Sequence, residues 1–261
     1  MILELSELLG CAVQESLEER VAVSFSGGID STIIAAIARR HADVELFSAG
    51  VEGSPDLKYA EQAASRLGLP LNKIIIDEQA AMDAYARVYG QLPLDFLKVE
   101  ILVPVNIIAK EARARGHSVL LFGSAAEELF VGYERYYAYQ EQGRNLPEIL
   151  KDEFKSLPQR DIGWIRKVCR KQEIEARFPY YNKEISRLMF SVPIEERLDD
   201  RELKKGILRE AGKIIGVPDI VLQRRKKAMQ YGSGVHKMLM KKVDEINSAY
   251  PSPEPPSPRS R

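Results

Sequence analysis

The stretch Val21-Ala-Val-Ser24-Phe-Ser26-Gly27-Gly28-Ile-Asp30-Ser31 decides the fold. A short apolar run ends in Ser-Gly-Gly, an Asp-Ser pair follows, and a second apolar run extends from Thr32 to Ala38. That order predicts a buried strand over 20–25, a tight glycine turn and a helix to about Arg40. Two adjacent glycines let the backbone approach a ligand closely and turn its N–H groups inward. The helix start adds unpaired donors and the positive end of a dipole. Together these make a socket for phosphate oxygens. Asp30 would repel phosphate unless a divalent cation lay between them, which points to Mg2+. The commoner nucleotide loops, Gly-x-x-x-x-Gly-Lys-Ser/Thr and a helix-opening Gly-x-Gly-x-x-Gly, are both absent from the sequence.

Working outward, residues 2–19 read as an amphipathic helix with Leu5, Leu8, Leu9, Ala12 and Val13 on one face. Further strands are expected at Val44–Ala49, Lys73–Ile76 and Ser118–Phe122, the last ending at Gly123. Helices are expected from Pro55 to about Leu67, over 78–89 and over 99–115. Strand alternating with helix implies an α/β fold, a parallel sheet covered by helices on both faces. Ligands in such folds bind at the carboxyl ends of the strands, where both Ser26 and Gly123 fall. Beyond about 135 no strand is expected. Helical patterns recur at about 161–173, 183–191, 201–212 and 234–246, so this half reads as all-α. The stretch from Pro251 to Arg261 is nearly all proline, serine and charge, which cannot bury apolar area. The expected division is an N-terminal helix over 1–19, an α/β core over 20–135, a helical part over 136–248 and a disordered tail over 249–261.

Composition limits the function classes. The chain has 261 residues and a 45% apolar content, enough for a sizeable core. Its 38 basic and 38 acidic residues cancel, so no overall field draws it to nucleic acid or membrane. Its two cysteines, Cys11 and Cys169, are far apart and fit neither a disulfide framework nor a Cys-x-x-Cys metal site. No apolar run approaches the roughly 20 residues of a membrane helix, and the acidic, amphipathic N-terminus is not a signal peptide. A cytoplasmic, reduced protein is the expectation.

The second constellation is Phe122-Gly123-Ser124-Ala-Ala-Glu127-Glu128-Leu-Phe-Val-Gly132-Tyr133. Two carboxylates just past a strand end suit Mg2+ on a triphosphate; equally, they suit the dipole at a helix start. With these residues in view the chain resembles the synthetase domain of glutamine-dependent asparagine synthetases, members of the PP-loop ATP pyrophosphatase superfamily with its adenine nucleotide alpha hydrolase-like fold. The Ser-Gly-Gly-x-Asp-Ser signature matches at 26–31. Glu52-Gly-Ser-Pro-Asp56 resembles the family's Gly-Ser-Pro-Asp turn, and 123–133 its Gly-Glu-Gly-Ser/Ala-Asp-Glu-x-Phe-x-Gly-Tyr. Asp161 and Ile174-Glu175-Ala-Arg177-Phe-Pro179 resemble a downstream stretch, and Lys205-Gly-Ile-Leu-Arg209 its Lys-x-x-Leu-Arg. Arg225 to Ser233 resembles a segment of archaeal-type members.

The resemblance implies an AMP-forming ligase. A substrate carboxylate, that of aspartate, attacks the α-phosphate of ATP, pyrophosphate leaves, and ammonia converts the acyl-adenylate to an amide. ATP binding then falls to Ser24, Ser26, Gly27, Gly28, Asp30, Ser31 and Gly123, and Mg2+ to Asp30 and Glu127. Lys205 takes the place of the lysine that stabilises phosphate charge, or else is a solvated helix cation. Glu127 and Glu128 join it as catalytic groups. Glu175, Arg177 and Asp161 fall at substrate positions, although Glu175 and Arg177 equally suit a structural ion pair. Two departures stand out. The family's acid–base Glu falls at Ser124, and its Mg2+-binding Asp at Glu127. The family also begins with a glutaminase domain whose nucleophile is an N-terminal cysteine. This sequence has about 20 residues before the first strand and Ile2, so ammonia is expected free or from a separate glutaminase subunit. A homo-oligomer is left open. Two other readings stay open. One is a PP-loop pyrophosphatase acting on another acceptor such as tRNA, whose phosphates Arg224, Arg225, Lys226, Lys227, Lys237, Lys241 and Lys242 could touch, although these residues better suit a solvated helix face with the family's own phosphate contacts. The other is an ATP-binding regulatory protein without ligase activity.

Overall fold

The computed structural model describes residues 1–198, 201–224 and 232–251. Five strands form one parallel sheet: β1 (Arg20–Ser24), β2 (Asp43–Gly50), β3 (Leu71–Ile75), β4 (Val119–Leu121) and β5 (Glu175–Arg177), in the order β3-β2-β1-β4-β5. Val21, Ala22 and Val23 of β1 are fully buried, as a central parallel strand requires. The chain runs outward from β1 to β3 and then returns to β4 on the other side of β1. The order therefore switches between β1 and β4, and a crevice opens beyond their carboxyl ends.

Helix α1 (Ile2–Gln14) and helix α2 (Ile29–Ala38) pack together, and every residue of α2 is buried. Beyond its polar first turn, from Ile33 to Ala38, the helix is apolar on all sides and must be enclosed on all sides. Helix α3 (Pro55–Leu67) opens with Pro55 in its first turn and ends on Gly68, whose φ of 64° is the left-handed conformation glycine adopts freely. Helix α4 (Glu78–Gln91) is capped by Asp77, which accepts from the Ala80 N–H at 2.8 Å. Helix α5 (Phe96–Ala114) packs against β1, β2 and α4. Right-handed crossovers put α2 and α3 on one face of the sheet and α5 on the other.

The second half is helical but not wholly so. Short helices α6 (Ala126–Leu129) and α7 (Glu134–Glu141) lead to α8 (Leu146–Ser156), α9 (Asp161–Lys171), α10 (Lys183–Ser191) and α11 (Ile194–Arg197). Helices α12 (Gly206–Ile215) and α13 (Asp219–Leu222) follow. The expectation of no strand beyond 135 is corrected by β5. Glu-Ala-Arg does alternate, with only Ala176 buried, but three residues are too few to mark a strand, and its pairing with β4 defines it. The expected helix over 201–212 starts later, because Lys204 and Lys205 are left-handed. The pattern over 234–246 divides into two helices, Val235–Met240 and Val243–Ala249. Beyond it Tyr250 packs against Tyr85 and Tyr89, with ring centroids 5.7 and 5.2 Å apart. Of the expected disordered tail over 249–261, Ala249 ends a helix and Tyr250 is packed, while 252–261, like the basic residues Arg225, Lys226 and Lys227, lie outside the described residues.

One cluster of buried side chains runs from Leu5 to Ile246, so the two halves share a core. No described helix is long and apolar enough to cross a membrane. Ile33, on α2, is fully buried, whereas Ile75 on the edge strand is 47% exposed. Ile33→Ala should therefore cost about 2–5 kcal/mol in urea unfolding. Ile75→Ala should stay within about 1 kcal/mol of the parent.

Candidate active site

At the end of β1 the backbone turns through Gly27, with φ of 64°. A Cβ there would lie 2.7 Å from the Tyr59 carbonyl oxygen and 2.8 Å from the Ala60 nitrogen, backbone atoms of α3. Glycine is demanded twice, by conformation and by space. Ser31 Oγ and Thr32 Oγ1 donate to the Gly28 carbonyl at 3.3 and 2.8 Å, and the Ser26 N–H reaches Ser31 Oγ at 3.4 Å. These bonds fix the loop, while the first N–H groups of α2 keep no helical acceptor. Tyr180, fully buried, donates to the Asp30 carbonyl at 3.1 Å and braces the same turn.

The loop after β4 meets this turn directly. A Cβ on Gly123 would lie 2.9 Å from Asp30 Cβ. The Lys205 ammonium reaches in from the second half and bonds Asp30 Oδ1 and Oδ2 at 2.8 and 2.9 Å and Glu127 Oε1 at 2.9 Å. Asp30 and Lys205 are only 7% and 6% exposed. Burial alone would lower the Lys205 pKa, but Asp30 first and Glu127 second outweigh it and hold the lysine above its ordinary value. Gly132 lies over the cluster: a Cβ on it would overlap Glu127 Oε2 and Lys205 Cε. Among the described residues five non-glycines have positive φ, and four of them, Ala125, Val131, Lys204 and Lys205, flank this cluster. Strain of this kind persists only where the surroundings over-determine it.

Glu128, one residue on, is 3% exposed, and its pKa is pushed up to about 7. Burial is the main cause; the charges of Glu127 and Asp161 add to it. Burial and the same carboxylates hold the Tyr133 hydroxyl well above its usual range. Arg197 clamps the end of α6 by donating to the Glu128 and Leu129 carbonyls at 3.0 and 2.8 Å. Its own burial lowers its pKa to about 10.

The site residues expected from the sequence thus divide. Ser26, Gly27, Gly28, Asp30, Ser31, Gly123, Glu127 and Lys205 meet at the switch between β1 and β4, with Ser24 ending β1. Glu128 adjoins Glu127 in sequence, and Asp161 at the start of α9 acts on its charge. Lys205 is buried between two carboxylates and is not a solvated helix cation. Glu175 and Arg177 are not brought to the cluster. Arg177 bonds Glu175 at 2.9 and 3.0 Å, Glu18 at 2.8 Å and the Ser16 and Leu17 carbonyls, tying β5 to the segment after α1. Their ion pair holds the Glu175 carboxyl below its usual range. Arg224, read from sequence as a phosphate-contacting cation, instead bonds Asp56 Oδ1 at 2.5 Å and the Ser26 carbonyl at 2.7 Å. Tyr180 and Arg197 went unmarked; each acts through a contact made by folding.

No three His, Cys, Asp or Glu side chains gather as a metal set among the described residues. Asp30 and Glu127 nevertheless converge on one cation, the Lys205 ammonium. Mg2+ takes one or two carboxylates and leaves its other positions to phosphate and water, so this pair fits it.

A family model described as asparagine synthase matches residues 4–168 and 152–255, and the chain belongs to that family. A protein of Methanocaldococcus jannaschii provisionally named asparagine synthetase (glutamine-hydrolyzing) 1 is 30% identical, over 91% of this chain and 51% of its own length. Asparagine synthetase B (glutamine-hydrolyzing) of Escherichia coli is 27% identical, over 88% of this chain and 45% of its own. The chain thus spans about half the length of these relatives. Among solved structures, an NH3-dependent NAD synthetase from Campylobacter jejuni superposes with a TM-score of 0.46 at 14% identity, covering 95% of this chain and 85% of that one.

The raised pKa of Glu128 has a signed consequence. Between about pH 4.5 and 7 the folded chain holds a proton on Glu128 that the unfolded chain has released, so stability falls as pH rises through that window. Two and a half pKa units correspond to about 3 kcal/mol. Glu128→Gln should remove this component, so urea unfolding from pH 4 to 8 should show the variant gaining on the parent by that order.

Proposed function

We propose that the chain is an asparagine synthetase-like, AMP-forming amide ligase that uses Mg-ATP, a small carboxylate substrate such as aspartate, and ammonia. The observation that carries the reading is the buried Lys205 ammonium held between Asp30 and Glu127 at the mouth of a glycine-walled phosphate loop. The triphosphate tail of ATP would enter where α2 begins. The Gly27–Gly28 turn and the Ser26 and Ser31 hydroxyls would receive the pyrophosphate end through N–H and O–H donors. Asp30 and Glu127 would hold Mg2+, which when bound supplies charge neutralisation for the phosphates. Freed from the two carboxylates, Lys205 would carry its charge to the phosphate oxygens. It also begins α12, so its ammonium and the helix dipole add in the same direction.

In the first step a carboxylate oxygen of aspartate bonds to the α-phosphorus and the bond to pyrophosphate breaks. Charge that develops on the departing oxygens is met by fixed donors, which is where preorganised electrostatics lowers a barrier most. In the second step the ammonia nitrogen bonds to the acyl carbon, AMP leaves, and the nitrogen gives up a proton. Ser124 cannot accept that proton as a carboxylate would. Glu128, with its pKa raised to about 7, has the acidity an acid–base group needs near neutral pH. Ammonia would come free or from a separate glutaminase, in a cytoplasmic setting.

The test is aspartate and ammonium with Mg-ATP, scored for AMP, pyrophosphate and asparagine in equal amounts. Asp30→Ala and Lys205→Met should each lower pyrophosphate release by about a hundredfold or more. Pyrophosphate without asparagine would transfer the reading to another acceptor, tRNA included. ATP binding without turnover would favour a regulatory role.

A further inference from the structure

Arg209, four residues beyond Lys205, is 8% exposed, and all five N–H donors of its guanidinium have carbonyl acceptors. Nε donates to Lys204 at 2.7 Å, and Nη2 to Leu203 at 2.5 Å and Arg224 at 3.1 Å. Nη1 donates to Leu222 at 2.5 Å and Val221 at 3.3 Å. Two of the acceptors precede Lys205, and three belong to the segment from α13 to Arg224.

Each segment delivers one cation to the site. Lys204 and Lys205 are both left-handed, with φ of 56° and 58°, a conformation that opposes the ordinary preference of lysine. That turn aims Lys205 Nζ at Asp30 and Glu127. Arg224 bonds the Ser26 carbonyl, stacks 4.0 Å from the Tyr59 ring centroid and pairs with Asp56. Arg209 also sits in the first turn of α12, where a cation is unfavourable against the helix dipole. Helix stability alone does not account for it.

We infer that Arg209 is a positioning residue: its planar fork ties the strained Lys204–Lys205 turn to the Arg224 segment, so that one guanidinium sets both Lys205 and the clamp on the phosphate loop. The inference rests on the proposed ATP site. A lysine cannot replace the arginine, because three donors on a single nitrogen do not span carbonyls from two segments.

The full chain should be compared as parent, Arg209→Lys and Arg209→Gln. Thermal melting checks folding, acetic anhydride labelling without nucleotide reads Lys205, and titration calorimetry reads Mg-ATP. Both variants should melt cooperatively. Lys205 labelling should rise and Mg-ATP affinity fall, each by about tenfold, the size of one lost charged hydrogen bond. Ile215→Ala, at the far end of α12, should lower the melting temperature without changing Lys205 labelling. Parent-level labelling in folded Arg209→Lys would overturn the inference. Failure of both variants to fold would do the same, since the fork would then hold the fold and not the lysine. If the parent itself binds no Mg-ATP, the ATP reading fails, while the labelling result still decides whether Arg209 positions Lys205.

Discussion

Asp30, at the start of α2 after β1, and Glu127, on α6 after β4, are brought together, the first buried and the second half-buried. Two carboxylates in that position repel, and burial raises the cost of each charge. Lys205 resolves the conflict, bonding both oxygens of Asp30 and one of Glu127 within 2.9 Å. The cation comes from 175 residues beyond Asp30. The second half must therefore return across the sheet and present a lysine at one point. Much of its architecture follows from that demand. The β5 strand anchors it to β4, Tyr180 braces the turn that carries Asp30, and Arg197 pins the short helix that carries Glu127.

The same constraint accounts for where strain collects. Ala125 and Val131 bracket α6, and Lys204 and Lys205 precede α12; all four adopt positive φ without being glycine. Each such residue costs on the order of 1 kcal/mol or more. Polar contacts to backbone offset that cost: Arg197 at the end of α6, and Arg209 around the Lys204 turn. Arginine suits both places because a planar fork can hold several carbonyls in a fixed arrangement, which lysine cannot do.

Elements whose causes are local were legible in the sequence. The run at 21–31 placed β1, the glycine turn and α2 nearly to the residue, and Pro55 opened α3, which ends at Leu67 as expected. That Ser26 and Gly123 could face one site followed from their places at the carboxyl ends of parallel strands, whereas the neighbouring of β1 and β4 is seen only in the folded sheet. Features created by long-range contact were not legible. β5 is three residues, too short for its alternation to be read, and only β4 makes it a strand. Arg177 looked as suited to substrate as to an ion pair, and its partner Glu18 lies 159 residues away. Arg224 read as a phosphate cation because nothing nearby in sequence announces Asp56. The burial of Lys205 was likewise beyond pattern reading, since Leu-Lys-Lys before a helix is ordinarily solvated.

Ser124 and Glu128 show how acidity can relocate within such a site. A serine after Gly123 leaves the loop without a carboxylate at that position. Lys205 is then left with two carboxylates to balance. The third carboxyl group of the neighbourhood, Glu128, is withdrawn from solvent, with Glu127 and Asp161 opposing its ionisation. Burial and those neighbouring charges therefore oppose a full charge on Glu128 beside the cluster. A full charge there would compete for the ammonium that Asp30 and Glu127 share. A carboxyl poised in this way can accept a proton without first unbalancing the ion cluster. The segment from Gly123 to Tyr133 therefore carries both Glu127, which shares the Lys205 ammonium with Asp30, and Glu128, whose ionisation burial opposes.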